Sequence, residues 1–382
     1  MVYSVAGYGR MISDRARVCA YTEALRRAIK PGCTVLDIGT GTGFFAMLAC
    51  RFGARKVYAI EPAEVIQLAR EAARTNGCAD RIEFIQDLST RIELPEQVDV
   101  IISDLRTVLP WFQQHIPAIV DARVRFLKPG GVLIPEQDKL WAAVVEMPQF
   151  YGEHVGHQHQ DTAGFDMSAA RRFGANAWAK ARAKPEQLLT EPFQWATLDY
   201  RHVADTDIDA RIGWTVARPG TAHGFVAWFE TKLIEDIGFS NAPHEKPLIY
   251  GNAFFPWQEP ISVSVGDQIS VCLQANLFDD DYIWRWNSRI TGSSGRGEAR
   301  AEFSQSNLCA LRALETVRLT GANYIPILRG REEIDRFILG RMDGSASSRD
   351  IAEAVKIRFP EKFATFEGAL DAVADLSLRY CR

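Results

Sequence analysis

Short apolar runs alternate with amphipathic stretches in the first part of the chain. The apolar runs predict strands and cover residues 34–38, 56–61, 82–85 and 98–102. Between them, residues 44–52 and about 63–76 carry apolar side chains at helical spacing. Strands that alternate with helices in this way are typical of a parallel sheet with helices on both faces. We therefore predict an α/β domain over residues 31–146.

The pattern changes after the turn and strand of residues 128–135. Strand-like runs separated by turn signals follow one another without long helices, over residues 193–200, 211–218, 224–233, 261–265, 268–277, 282–286 and 299–303. This pattern predicts an antiparallel β-barrel or sandwich, which we assign to residues 147–305. Within it, residues 167–183 are rich in alanine and arginine and predict a helix.

The last part of the chain returns to apolar residues at helical spacing, over residues 334–342, 348–359 and 366–380. We predict a small helical domain over residues 320–382. A chain of 382 residues is longer than one hydrophobic core usually serves, which agrees with several domains.

Composition narrows the class of protein. The chain has 44 basic and 48 acidic residues, a formal charge of −4, which provides no basic surface for nucleic acid or membranes. It contains no apolar run long enough to span a bilayer and no N-terminal signal sequence. Its seven cysteines include no CxxC pair and fit a reducing compartment. We predict a cytoplasmic enzyme or binding protein with no nucleic-acid or membrane partner.

The turn between the first strand and the first helix is the most informative segment. Gly39, Gly41 and Gly43 follow Asp37 there. Glycines let a ligand approach the backbone without Cβ atoms in the way. The third glycine of a dinucleotide-binding fingerprint is missing, because two phenylalanines follow Gly43. The Asp37 carboxylate would repel a pyrophosphate, but it suits the sulfonium and ammonium groups of S-adenosylmethionine.

Glu61 ends the second predicted strand. An acidic side chain at that point can accept both hydroxyls of a ribose, as the adenosine end of the same cofactor requires. We therefore predict S-adenosylmethionine as the cofactor. A nicotinamide-dependent oxidoreductase is the weaker enzyme alternative, which the glycine spacing and Asp37 disfavour.

Several segments resemble motifs of the protein arginine methyltransferase family. They are residues 11–21, 35–43, 56–61, 98–104, 128–135 and 164–168. The resemblance covers about residues 2–305. It implies a Rossmann-like S-adenosylmethionine-binding domain, a β-barrel, and a homodimer formed through a helical arm at about residues 164–186.

The resemblance also implies roles for residues near the cofactor. Residues 1–30 would form helices that cap it. Asp14, Arg17 and Tyr21 share one helical face, from which the Arg17 guanidinium could bind the cofactor carboxylate with two hydrogen bonds. An exposed Asp14–Arg17 ion pair is the simpler alternative. Asp87, after the third strand, would bind the adenine amino group.

The chain departs from the family at the acceptor site, where two glutamates clamp the substrate guanidinium. The equivalent positions are Asp104 and Gln113, Pro256 replaces a histidine of the barrel, and Arg106 adds a positive charge. A guanidinium is always protonated and needs carboxylate partners. We therefore predict methyl transfer to a different acceptor, which is a peptide, a protein or a small molecule. Asp104 is the first candidate for the base or orienting group, and Asp14 is the second.

The C-terminal helices carry a second resemblance. Residues 337–345, 350–352 and 358–360 resemble the small, winged-helix-like, peptide-binding domain of the pyrroloquinoline quinone biosynthesis chaperone. This implies recruitment of a peptide by strand addition, with plain packing against the barrel as the alternative. A catalytically silent scaffold that binds a peptide here is the alternative to an enzyme.

Three histidines, His154, His157 and His159, are close enough in sequence to share a metal ion. A solvated surface tract is the favoured interpretation. We predict no metal site.

Overall fold

A computed structural model describes residues 5–156, 168–293, 298–309 and 330–380, together with the single residues 165 and 325. The chain divides into two compact units, residues 1–311 and 312–382. Among the described residues, no helix is long and apolar enough to cross a membrane.

The first unit begins with two helices, α1 (Val5–Ser13) and α2 (Arg15–Ala28). Asp14 separates them and is the N-cap of α2, because its Oδ1 accepts a hydrogen bond from the Arg17 backbone N–H at 3.3 Å. The buried face of α2 includes Arg17 and Tyr21, which lie one turn apart.

A parallel five-stranded sheet follows, with strand order β3-β2-β1-β4-β5. Its strands are β1 (Thr34–Ile38), β2 (Lys56–Ile60), β3 (Ile82–Ile85), β4 (Val98–Ser103) and β5 (Leu127–Ile134). The helices among them are α3 (Phe44–Arg51), α4 (Ile66–Thr75) and α5 (His115–Phe126). Every residue of β1 is buried, as expected for a central strand of a parallel sheet. The predicted Rossmann-like domain is confirmed.

Ten antiparallel strands build the next part of the unit. They are β6 (Gln137–Val145), β7 (Ala179–Ala181), β8 (Phe193–Asp199), β9 (Ile208–Thr215), β10 (Gly220–Ile234), β11 (Ile237–Ser240), β12 (Asn252–Val263), β13 (Gln268–Phe278), β14 (Asp281–Thr291) and β15 (Ala301–Ser306). One sheet has the order β7-β12-β10-β6-β8, with β11 on β10, and the other has the order β15-β14-β13-β9. The rings of Phe225 and Phe255 stack within the core, with their centroids 4.8 Å apart. The antiparallel β-barrel is confirmed.

Two local predictions in this part are wrong. Residues 167–183 do not form one helix, because α7 (Ser168–Gly174) is followed by β7, which pairs with β12. Pairing with an open strand edge satisfies the backbone groups of residues 179–181 and overrides their helix propensity. The strand predicted at 261–265 is longer and begins at Asn252. The sequence obscured this because Pro256 lies within the strand, where a register shift next to Gly224 in the paired strand β10 accommodates it.

The rest of the first unit contains α6 (Pro148–Tyr151) before the arm region. Residues 157–164, 166 and 167, which include His157, His159 and most of the start of the predicted arm, lie outside the described residues.

The second unit contains α8 (Gly330–Leu339), α9 (Ser348–Arg358) and α10 (Phe366–Tyr380). Ser347 and Asp350 form a reciprocal capping box at the start of α9. The core of the unit is aliphatic and includes Ile338, Val355 and Val373, all with no exposed surface. The three predicted helices are present, and α8 lies three to four residues earlier than predicted.

Candidate active site

A cavity of about 410 Å³ opens where β1, β2 and β4 end. Ligands of open α/β sheets bind at this carboxyl edge of the strands. The residues that line it include most of the predicted site: Arg17, Asp37, Gly39, Gly41, Glu61, Asp87, Asp104 and Gln113. Its volume lies within the range of about 300–1,000 Å³ that is usual for small-molecule sites.

The glycine turn forms one wall of the cavity. Gly41 has φ +53°, and a Cβ atom there would lie 2.8 Å from the ring of Tyr8 in α1. Because a side chain at Gly41 would push into this ring, the close approach of α1 to the turn requires glycine. Gly43, in contrast, is the N-cap of α3 and packs on Ala69, and it is absent from the cavity lining. The turn therefore uses Gly43 for helix packing.

Glu61 is almost fully buried at the end of β2. Its Oε2 accepts the Gly41 N–H at 3.1 Å, and its Oε1 accepts the Ala63 N–H at 3.0 Å. Burial raises its pKa, and the two backbone donors limit the increase. These bonds fix the orientation of the carboxylate and leave lone pairs on both oxygens for the hydroxyls of a ribose.

Asp37 lies beneath the same turn. Thr40 Oγ1 donates a 2.6 Å hydrogen bond to Asp37 Oδ2. Burial raises the pKa of Asp37 to about 7, and the neighbouring Glu61 adds to the increase. A carboxyl group with this pKa gains most from a cationic ligand, because the cation favours its charged form.

Arg17 reaches from α2 to the end of β4. Its Nε and Nη2 donate to Asp104 Oδ2 at 2.7 and 2.5 Å, and its Nη1 donates to the Met11 carbonyl at 3.3 Å. The guanidinium makes no contact with the Asp14 carboxylate among the described interactions, so the alternative of an Asp14–Arg17 ion pair is wrong.

Asp104 is enclosed by cations and a phenol. Besides Arg17, Tyr250 donates to Asp104 Oδ2 at 2.6 Å, and Arg106 Nε lies 3.6 Å from Oδ1. Burial by itself would raise the pKa of Asp104, but Arg17 and Arg106 hold it below its ordinary value. A carboxylate held in this way is a poor proton acceptor at neutral pH.

Arg106 does not extend a free charge into the cavity. Its guanidinium is buried and donates to Asp138 at 2.7 Å, to Thr231 at 2.9 Å and to Tyr21 at 3.0 Å. Asp138 and Thr231 face each other on β6 and β10. The positive charge that the sequence places at Arg106 is therefore neutralised by Asp138 between the sheet and the barrel.

The remaining predicted residues lie in different surroundings. Gln113 lines the cavity with a left-handed backbone, φ +44°, a conformation that non-glycine residues rarely adopt. Asp87 lines it too and accepts the Leu88 N–H. Asp14 does not line it: Oδ1 caps α2, and Oδ2 accepts the Ile249 N–H at 2.7 Å. These bonds favour a structural role for Asp14 over the predicted catalytic one.

Pro256 lies inside β12 rather than in a loop, and its carbonyl accepts a hydrogen bond from Trp286. This position supports the barrel. His154 is bonded to the Ala177 carbonyl, and the described residues contain no group of histidine, cysteine and acidic side chains that could hold a metal ion.

Two residues near the cavity, Tyr250 and His115, were not predicted from the sequence. Tyr250 contacts Asp104 across 146 residues of chain. His115 begins α5 two residues after Gln113, lines the cavity and lies with its Nε2 3.1 Å from Tyr200 Oη. No local pattern distinguishes Tyr250, whereas the closeness of His115 to Gln113 was a signal that could have identified His115.

Comparisons with known proteins agree with this architecture. Residues 17–160 match the model of ribosomal protein L11 methyltransferase, and residues 136–289 match the arginine methyltransferase oligomerization subdomain. Protein arginine N-methyltransferase 6 of Xenopus laevis is 30% identical over 284 residues, which are 70% of this chain and 82% of that protein. A probable protein arginine N-methyltransferase 6 of Arabidopsis thaliana is 29% identical over 58% of this chain and 53% of its own length.

Solved structures share the fold. Protein arginine methyltransferase 10 of Arabidopsis thaliana superposes with a TM-score of 0.69 at 24% identity, over 80% of this chain and 98% of that one. A Trypanosoma brucei arginine methyltransferase was solved as an enzyme–prozyme heterotetramer with S-adenosylhomocysteine. It superposes with a TM-score of 0.70 at 20% identity, over 78% of this chain and 96% of that one.

The cavity fits the cofactor of these relatives. Glu61 offers fixed acceptors for a ribose, Asp37 offers a carboxylate for a cation, and Arg17 lines the same space. An S-adenosylmethionine bound there supplies an electrophilic methyl group. The chain belongs to the protein arginine N-methyltransferase family, and as a methyltransferase of that family it uses S-adenosylmethionine.

Proposed function

We propose that this chain methylates a neutral nitrogen or oxygen atom of a peptide rather than the guanidinium of arginine. The observation that carries this proposal is the state of Asp104. Its carboxylate is already bonded to Arg17 and Tyr250 and lies beside Arg106. The position that would clamp a substrate guanidinium is therefore occupied by the protein's own cation.

Charge balance supports the same acceptor class. Arg17, Arg106, Asp104 and Asp138 form a buried group of two cations and two anions. A substrate guanidinium would add a third positive charge, and Gln113 offers an amide where a carboxylate would be needed. Removing a charge from water without a partner of opposite charge is costly. A neutral acceptor avoids that cost.

Arg17 can hold the cofactor while it is paired with Asp104. A guanidinium has five N–H groups, and the contacts of the described residues use three of them, one each on Nε, Nη1 and Nη2. One hydrogen remains on each terminal nitrogen for the cofactor carboxylate. Glu61 would bind the ribose, Asp37 the cationic end and Asp87 the adenine amino group.

The other described residues of the cavity would align the reactants and exclude water. Displacement at a methyl carbon needs alignment and exclusion of water more than covalent help. Tyr8 and Met11 of α1 cover the cavity. We assign Asp104 the orientation of Arg17, and Gln113 the hydrogen bond that orients the acceptor. Asp104 is not assigned as the base, because Arg17 and Arg106 hold its pKa low.

The peptide class of the acceptor rests on the second unit. Its sequence resembles a peptide-binding, winged-helix-like module, and residues 312–382 have their own core. In this proposal the unit recruits a peptide. The protein acts in the cytoplasm as a homodimer that forms through the arm at about residues 164–186. The functional divisions of the chain are residues 1–30, 31–146, 147–305 and 320–382.

The test is methyl incorporation from labelled S-adenosylmethionine into a panel of short peptides, each with one nucleophilic side chain. Methyl incorporation into peptides with amide, hydroxyl or imidazole groups should be at least tenfold higher than incorporation into arginine peptides. Preferred methylation of arginine would contradict the proposed acceptor. Cofactor binding without any transfer would favour the silent peptide-binding scaffold, for which the loss of both clamp glutamates is the motivating observation.

A further inference from the structure

The loop of residues 104–114, between β4 and α5, contains a strained residue. Gln113 has φ +44°, in the left-handed region that non-glycine residues rarely adopt. Such a conformation persists only where the surrounding structure holds it in place. Gln113 also lines the cavity. The contacts that hold its backbone therefore decide where its amide group lies in the cavity.

The turn of the β13–β14 hairpin lies against this loop. It consists of Asp279 and Asp280, between the end of β13 and the start of β14. The Asp279 carbonyl accepts a hydrogen bond from Gln114 Nε2 at 2.9 Å. Asp281, the first residue of β14, accepts the Gln113 N–H on its Oδ1 at 3.4 Å. The hairpin turn therefore bonds to two consecutive residues of the loop.

The barrel fixes the position of the Asp281 carboxylate. Its Oδ1 also accepts the N–H of Tyr282, a buried residue whose Oη donates to the Thr206 carbonyl. Three residues after Asp281, the Trp284 ring packs edge-on against Trp111 of the loop, with their centroids 6.4 Å apart. Strand β14 thus supports the loop at two points, one polar and one aromatic.

We propose that Asp281 is a positioning residue for methyl transfer, because its carboxylate holds the Gln113 backbone in the left-handed conformation and so places the Gln113 amide against the acceptor. This inference rests on the proposed function, which gives Gln113 the contact with the acceptor. Asp281 itself does not line the cavity, so it acts through Gln113. Its negative charge lies next to the N-terminus of α5, where unpaired backbone N–H groups favour an anion.

The first experiment measures kcat/KM on the best peptide of the panel, whichever side chain the wild type methylates. Asp281→Ala removes the acceptor of the Gln113 N–H, and kcat/KM should fall about tenfold or more, because small displacements of a positioning group have large effects on rate. The dissociation constant of S-adenosylhomocysteine should stay within about twofold, as expected for a surface substitution outside the cavity. This split separates placement of the acceptor from binding of the cofactor.

Two further variants are matched to Asp281→Ala. Asp281→Asn keeps an oxygen that can accept the same hydrogen bond, so kcat/KM should return to within about threefold of the wild type. Asp280→Ala removes the neighbouring exposed carboxylate, which accepts no bond from the loop among the described contacts, and should leave kcat/KM within about twofold. An Asp281→Asn variant as slow as Asp281→Ala would overturn the inference, because the accepted hydrogen bond would then not matter.

A double substitution shows whether Asp281 acts through Gln113. Gln113→Gly removes the amide, and glycine adopts a positive φ without strain. Asp281 then has no side chain to place, so adding Asp281→Ala in this background should change kcat/KM by less than about twofold. A merely structural effect of Asp281 on the barrel would lower kcat/KM by the same factor in both backgrounds. That result would overturn the inference.

Hydrogen exchange tests the contact without an acceptor. Exchange of the backbone amides of residues 104–114 is followed in the full chain by mass spectrometry. It should be about tenfold faster in Asp281→Ala than in the wild type or Asp280→Ala, because the loop opens more often when its support is lost. Equal exchange in the two alanine variants overturns the inference. Similar unfolding midpoints for these variants exclude loss of the fold as the cause.

The outcomes separate the inference from the proposed function. If the wild type prefers arginine peptides, the proposed acceptor is wrong, and kinetics on those peptides still decide on Asp281. If the wild type methylates no peptide, the proposed function fails, and the exchange rates still show whether Asp281 holds the loop. If the wild type methylates a neutral peptide and Asp281→Ala keeps kcat/KM within about twofold, the inference is overturned and the proposed function stands.

Discussion

The Arg106 guanidinium lies 2.7 Å from the Asp138 carboxylate, and both side chains are fully buried. Arg106 follows β4 of the parallel sheet, whereas Asp138 belongs to β6 of the barrel. Tyr200 donates a further bond to Asp138, and Tyr21 accepts one from Arg106. This buried ion pair connects the Rossmann-like domain to the barrel beside the cavity.

Breaking this pair should destabilise the protein strongly. Arg106→Ala leaves the Asp138 charge buried without its partner, which costs about 3–5 kcal/mol in comparable cases. We expect a large decrease in the urea midpoint of unfolding. Arg289→Ala, which breaks the exposed pair with Glu302, is the control and should leave the midpoint nearly unchanged. Equal effects of the two substitutions would contradict the connecting role of Arg106.

Replacing Glu61 should weaken cofactor binding. Glu61→Gln removes the charge and puts an amide NH₂ group near the Gly41 or Ala63 N–H, so two donors would face each other. We expect the dissociation constant of S-adenosylhomocysteine to rise about tenfold or more, which is about 1.4 kcal/mol. Calorimetric titration measures it, with the exposed Glu64→Gln as the control. An unchanged constant for Glu61→Gln would remove Glu61 from the site.

Cofactor affinity should increase with pH near neutrality. The pKa of Asp37 is raised to about 7, so the free protein holds part of this proton at neutral pH. A cation favours the carboxylate, so binding releases the proton, and affinity rises as pH increases through about 7 and then levels off. Titrations of S-adenosylmethionine in buffers with different ionisation heats measure the released proton. Asp37→Asn should abolish this release, and its persistence there would assign it to another group.

The proposed homodimer predicts a light-scattering mass near twice 42.8 kDa at micromolar concentration. Phe173, on α7 within the predicted arm, is 40% exposed in the single chain. Phe173→Glu should therefore shift the mass toward the monomer, because the charge would be buried in the interface. Phe193→Glu, at a phenylalanine of similar exposure on β8, is the matched control. A wild type that remains a monomer would refute the dimer.

The sequence by itself determined the architecture and the residues of one wall of the cavity. Alternation of strands and helices follows from the local spacing of apolar residues, so β1 to β4 were predicted almost to the residue. The sequence also allowed us to predict that Asp37, Gly41 and Glu61 line the cavity. Parallel strands end at the same edge of a sheet, which brings these residues to one cavity whatever the rest of the chain does.

Only the tertiary structure decided the state of Asp104 and Arg106. Arg17 and Tyr250 meet Asp104 from positions 87 and 146 residues away, and Asp138 neutralises Arg106 from across the domain boundary. Whether a carboxylate is a free clamp or half of a buried ion pair depends on which charges the fold brings within hydrogen-bonding distance. Local sequence cannot encode that distance, because it is fixed by how the sheet, α2 and the barrel pack together.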